Sequence, residues 1–224
     1  MTNLFPSAVT LLLLSGLLPA AQALVTTSSA TLAAAAGPLL TEDFGTLAVG
    51  TTVLSGTVLD GIGYQFSLSG GDTRGYIDDH GVSFSGHSLA RVGSAFKPGD
   101  SLTLTFATPV RAAGIYINTA PGFAYRATSN EAQPQTASTA PGTPYDTRSF
   151  VFLGVASATS FTQLTVTGGT TFGGAPGAFW GSPAIVYAPA AVPEPAAAAL
   201  LLAGLGLLGL CLRGRRGRTE VQPG

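Results

Sequence analysis

Between residues 39 and 188 the sequence predicts an all-β domain built as an antiparallel β-sandwich. Short apolar runs recur along this span, and the clearest of them alternate apolar with polar residues. Glycine, asparagine, aspartate and proline separate the runs at regular intervals. No segment here carries an amphipathic helical pattern of useful length, which argues against helix-on-sheet architectures. About 150 residues are enough to bury a sizeable core.

The first strand expected is LLTEDF (39–44). GTTVLSGTVLDGI (50–62) supplies a turn and a short strand. YQFSLSG (64–70) places Tyr64, Phe66 and Leu68 on one face, and GVSFSG (81–86) does the same with Val82 and Phe84. SLTLTFA (101–107) directs Leu102, Leu104 and Phe106 one way. Thr108-Pro109 then reads as a hairpin-like link to VRAAGIYIN (110–118). RSFVFLGV (148–155), FTQLTVTG (161–168) and AIVYA (184–188) complete the set. LVTTSSATLAAAAGP, at 24–38, is small and low in complexity and is expected to be a flexible lead-in. Residues 128–146 are polar and proline-rich and are expected to form a long loop.

Four of the ten basic residues, Arg213, Arg215, Arg216 and Arg218, crowd the C-terminus. From Leu24 to Val192 there are six basic and nine acidic residues. Such a surface offers nothing to phosphates, and nucleic acid is excluded as a partner.

The chain opens MTNLFPSAVTLLLLSGLLPAAQA. An apolar core, Ala8 to Leu18, is too short to cross a bilayer. Pro19 ends it, and Ala21-Gln22-Ala23 has the small residues that signal peptidase reads. Residues 1–23 are therefore expected to be a signal peptide for the Sec translocon. At the other end, 189–195 form a Pro-Glu-Pro linker, and 196–212 form an apolar run on every face, the lower limit of a transmembrane helix. The arginines of the tail, 213–224, set it on the cytoplasmic side of the inner membrane. The only cysteine, Cys211, lies in the apolar run, so the exported part forms no internal disulfide.

Val192-Pro193-Glu194-Pro195, an apolar helix and an arginine cluster, in that order and so near the end, resemble the PEP-CTERM sorting signal of Gram-negative bacteria. The resemblance covers roughly the last thirty residues. It implies recognition by exosortase, an integral-membrane protease, and export by bacteria that also make exopolysaccharide, often in biofilms. The two prolines hold this segment extended and exposed, a form suited to a protease groove. The middle of the chain is also similar, more loosely, to the domain of many such proteins. The elements carrying that likeness are Asp43-Phe44, 101–117, 150–166 and 184–188, and they imply a jelly-roll-like topology. Where relatives place an acidic pair before the last strand, this chain has Gly181-Ser182-Pro183.

The polar stretch GGDTRGYIDDHG (70–81) offers Asp72, Asp78 and Asp79 as candidate oxygens for Ca²⁺. Its spacing matches no calcium loop, and a solvated turn is the reading adopted. His80 and His87, the only histidines, lie near Ser83, Ser85 and Ser88, but no nucleophile elbow is present. GGTTFGGAPG (168–177) lacks the lysine and helix of a phosphate loop. Trp180, Tyr76, Tyr125 and Tyr145 fall in expected loops, where aromatic faces could meet sugar rings. The sequence thus points to a non-enzymatic, cofactor-free surface or matrix protein processed by exosortase and associated with extracellular polysaccharide. A carbohydrate-binding module is the alternative.

Overall fold

The computed structural model describes residues 23–81, 84–91, 99–118, 123–139, 143, 146, 150–171, 181–190 and 205. The expected signal peptide, apart from Ala23, and the expected membrane span, apart from Leu205, lie outside these residues. Among the described residues no helix is long and apolar enough to cross a membrane. By contact the chain divides into Met1–Ala190 and Ala191–Gly224, and every strand belongs to the first unit.

The elements run β1 (Leu24–Thr26), α1 (Ser29–Ala36), β2 (Leu40–Glu42), β3 (Thr52–Leu54), β4 (Val58–Leu59), β5 (Ile62–Ser67), β6 (Arg74–Gly81), β7 (Gly86–Arg91), β8 (Ser101–Asn118), β9 (Phe123–Ser129), β10 (Thr136–Ser138), β11 (Phe150–Thr171), β12 (Gly181–Ser182) and β13 (Ile185–Pro189). All pairings are antiparallel. Among the described residues of the first unit the all-β expectation therefore holds, with the short helix α1 added.

Two long strands organise the rest. β8 and β11 pair from Asn118 with Phe150 to Ser101 with Thr167, with register shifts between Ala156 and Gln163. In the half of β8 that holds Leu102, Leu104 and Phe106, only alternate residues are buried; from Ala112 to Ile117 every residue is. β11 mirrors this, being buried without interruption from Phe150 to Ser157 and only alternately from Phe161 onward. One half of the pair thus presents a single face to apolar surroundings, and the other half is covered on both. Along the one-sided half β5 flanks β8 and β9 flanks β11; along the two-sided half β13 flanks β8 and β1 flanks β11.

The larger core lies on the face shared by both halves. It joins Leu102, Leu104, Ile115 and Leu153 with Tyr64 and Phe66 of β5 and with Val53, Ile77 and Leu89 of β3, β6 and β7. Gly75 of β6 permits the approach: a Cβ there would stand 2.8 Å from Phe66 Cζ. A second cluster covers the other face of the two-sided half. It holds Leu32 and Ala36 of α1 with Tyr116, Phe150, Phe152 and Val186.

Several expectations are corrected. Residues 24–38 are not a flexible lead-in. β1 pairs with β11, and α1 is capped at both ends. Ser28 Oγ accepts from Thr31 N (3.3 Å), Gly37 N donates to Ala33 O (2.8 Å), and Ser29 N and Oγ both donate to Asp146 Oδ2 (3.2 and 2.6 Å). Docking of Leu32 on the sheet holds a helix too short to persist in water alone. Thr108-Pro109 is no hairpin. β8 runs through it, because Pro109 lies between Val110 and Thr105, where the pairing with β11 shifts register and its missing N–H is not needed. The separate strands expected at 148–155 and 161–168 are likewise one bulged strand. Glu131 anchors this bulge, accepting from Ser157 Oγ and from Thr159 Oγ1 (2.8 Å). The long loop expected at 128–146 contains β10, paired with β9. The stretch 70–81 is mostly strand β6, and Phe84–Ser85 form the turn into β7 rather than a strand. Phe84 packs on Tyr116, with ring centroids 4.8 Å apart.

Two measurements check this packing. Leu32→Ala should lower unfolding free energy by about 2–4 kcal/mol in denaturant titration, where a flexible lead-in would give no change. The Phe152 ring lies over the cross-strand pair Gly114 and Gly154, and a Cβ on Gly154 would stand 2.6 Å from its Cε1. Gly154→Ala should therefore cost about 1–3 kcal/mol, and Phe152→Leu in the same chain should recover part of the loss.

Candidate functional site

A pair of carboxyl groups is built into the edge of the sheet. Among the described strands β2 pairs only with β13, Glu42 opposite Ile185. Leu40, Glu42 and Phe44 share one parity, and the pairing turns the last two inward, leaving Glu42 5% exposed. The chain then turns sharply. Phe44 takes a left-handed backbone (φ 60°), and its N–H donates to Glu42 Oε1 at 2.9 Å. His87 Nδ1 lies 3.2 Å from Phe44 O, while Gly45 N donates to Asp43 Oδ1 at 3.0 Å.

Asp60 comes from the turn between β4 and β5, also with a left-handed backbone (φ 44°). Its carboxyl stands beside that of Glu42 and opposes its ionisation. Among the described residues Phe44 and Asp60 are the only non-glycine positions with positive φ. Such conformations cost roughly 1–3 kcal/mol for bulky residues and persist where surrounding contacts over-determine them. Here the contacts are Phe44 against Tyr64, rings 6.3 Å apart, and the two acids against each other.

Two acids within hydrogen-bond reach cannot both ionise cheaply. Burial, then the hydrogen bond and negative charge of Asp60, raise the Glu42 carboxyl to about 7, with the Phe44 N–H pulling the other way. Near neutrality Glu42 therefore gains and loses its proton. Tyr64, on β5, is 1% exposed, and among the described residues its hydroxyl has no hydrogen-bond partner. Burial and the charges of Glu42 and Asp60 push that phenol well above its ordinary range. Tyr187, on β13, is raised by burial and by the same two charges.

The residues singled out in the sequence do not gather here. Asp72 sits beside β6, 3.3 Å from Arg74 Nε. Asp78 and Asp79 point to opposite faces of β6: Asp78 is buried and accepts a hydrogen bond from Ser88 Oγ, and Asp79 is exposed. Among the described residues no group of three or more histidine, cysteine or acidic side chains is assembled for a metal. Ser85 Oγ donates to Asp43 O, so the hydroxyls of Ser85 and Ser88 serve backbone and carboxylate. Tyr76 is on β6, not in a loop. Tyr125, also expected in a loop, is buried in β9 and offers no ring face to a sugar. Trp180, Tyr145, Ser83, the His80 side chain, Val192, Pro193, Glu194, Pro195, Arg213, Arg215, Arg216 and Arg218 lie outside the described residues.

Sequence reasoning passed over Glu42 and Asp60. The available signal was an acid at the inward parity of LLTEDF and an Asp-Gly turn directly before an aromatic strand.

The site thus belongs to an all-β domain whose last strand, β13, ends at Pro189. Residues 191–216, which follow it, match the family model of the PEP-CTERM protein-sorting motif. No curated protein and no solved structure matches the chain. The motif marks an exported protein, anchored in the membrane until exosortase processes it.

A carboxyl whose folded-state pKa lies above its unfolded value favours the folded state when protonated. Its contribution is full below the unfolded value near 4.5 and is lost as pH rises toward about 7. Relative to Glu42→Gln, the native protein should gain on the order of 1–2 kcal/mol between pH 8 and pH 5, after allowance for solvent screening. Parallel thermal melts across that range check this.

Proposed function

We propose that this protein is a non-catalytic surface or matrix component, with a structural or interaction role beside extracellular polysaccharide. The observation that carries the reading is the sorting motif at 191–216, which begins two residues after the last strand. In this reading residues 1–23 direct Sec export and are removed by signal peptidase. Residues 196–212 then hold the chain in the inner membrane, with Arg213, Arg215, Arg216 and Arg218 inside. The strands form a jelly-roll-like β-sandwich outside, with β3, β6 and β7 as one layer over the β5, β8, β11 and β9 layer. Their sharing of one core supports that layering.

The absence of catalysis is part of the same proposal. Ser85 and Ser88, the described serines nearest a histidine in sequence, spend their hydroxyls on Asp43 O and Asp78. An activated nucleophile instead donates to a base within hydrogen-bond reach. The net acidity of the exported part keeps such a domain soluble without drawing it to nucleic acid.

Mass spectrometry of the C-terminus, from hosts with and without exosortase, tests the sorting step. The tail should be lost only where the enzyme is present, and a Pro193→Ala/Pro195→Ala chain should keep it in both hosts. Equal retention of the native tail in both would overturn the reading.

A further inference from the structure

We propose that the outward face of β5, β8, β11, β9 and β10 binds an extended polysaccharide whose sugars carry carboxylates. The inference rests on the reading of this protein as a component beside extracellular polysaccharide, and it names the surface and the sugar chemistry. The strands lie side by side here in unbroken register. One cross-strand row reads Gln65, Thr103, Thr165, Thr128 and Thr136. The next row, two residues along each strand, reads Ser67, Ser101, Thr167, Arg126 and Ser138. All of these side chains are exposed or half-exposed. Their neighbours along the strands, such as Leu104, Leu164 and Tyr125, point the other way, into the larger core.

Threonine suits a strand by its branching alone. Charge is what sets this face apart. Leu24 to Val192 holds six basic and nine acidic residues, yet no acid stands in either row. The one charge is Arg126, which is exposed and makes no ion pair with a described residue. A guanidinium offers a carboxylate two parallel N–H donors, a pairing that a neutral hydroxyl cannot match. The hydroxyls around it are already held in place. Thr103 Oγ1 and Thr165 Oγ1 share a hydrogen bond of 3.1 Å, and Thr128 Oγ1 and Thr136 Oγ1 share one of 3.0 Å. Groups positioned before binding lose less freedom on binding. No aromatic ring stands in either row, so recognition here is by hydrogen bonds and charge rather than by stacking.

The spacing also fits. Neighbouring strands lie ~4.8 Å apart, close to the length of one sugar residue in an extended chain. A polysaccharide laid across the strands therefore meets a fresh pair of side chains at each sugar. The two rows stand roughly 7 Å apart along the strands, so a chain lying between them has hydroxyls on both flanks and a carboxylate within reach of Arg126. Where the second row ends, Ser138 lines a cavity of ≈ 290 Å³ together with Val25, Thr26, Thr27 and Ala137. That volume is close to the lower limit of ligand pockets, ~300 Å³, and its place at the end of the row suits the end of such a chain.

Titration calorimetry of the full chain in detergent, with hexagalacturonate as the probe and chelator present, tests this. Binding should saturate, should weaken with added salt as Arg126 is screened, and should be absent for a neutral cello-oligosaccharide of equal length. Arg126→Gln should weaken it about tenfold. Arg74→Ala, which removes an exposed cation from β6, should leave it unchanged. Thr103→Val with Thr165→Val deletes two hydroxyls while keeping the branched shape that strands favour, and should weaken binding by about tenfold. Far-ultraviolet circular dichroism checks that each variant is folded. Uronate binding that survives both folded variants undiminished, or a preference for the neutral chain, overturns the site while leaving an association with polysaccharide standing. Binding of neither glycan also overturns the proposal, whereas export and sorting stand or fall on the mass of the C-terminus alone.

Discussion

The pairing of β8 with β11 is the constraint from which the rest follows. Both strands run on past the bend rather than stopping at it, so each serves two environments. Where only one face is buried, residues alternate; where both are buried, the run is continuous. The two-sided half needs a cover on its second face, and α1 supplies it with Leu32 and Ala36. The chain before residue 39 is thereby drawn into the domain.

The same geometry accounts for the acid pair. β13 is covered on one side by β8 and on the other by β2, a strand of three residues. So short a strand forms few ladder bonds, and its attachment depends on what its side chains meet. Glu42 meets Asp60, and Phe44 meets Tyr64. An inward acid at an edge also makes the edge a poor template for another chain. Burial of charge and the strained turns on both sides are local costs that the large shared core supports.

Position along the chain connects this edge to sorting. β13 is the last of the described strands, and the sorting motif begins two residues beyond it. Ala190 N, directly before the motif, donates to Pro109 O at 2.9 Å.

By itself the sequence determined the features whose cause is local. Pro-Glu-Pro, an apolar run and arginines in order define the sorting motif without any fold. Alternation in YQFSLSG and SLTLTFA defines strands and their inward faces, because side chains on a strand must alternate. Tertiary structure alone decided the rest. Pro109 and residues 157–160 look like breaks until a partner strand is present to absorb a bulge. The alanines of 24–38 look unstructured until Leu32 finds Phe152. Glu42 and Asp60 look like solvated acids, since nothing local brings residues 18 apart in sequence into contact. The raised pKa of Glu42 exists only because β2 and the β4–β5 turn converge on the same edge, a fact of distance in space that no spacing along the chain records.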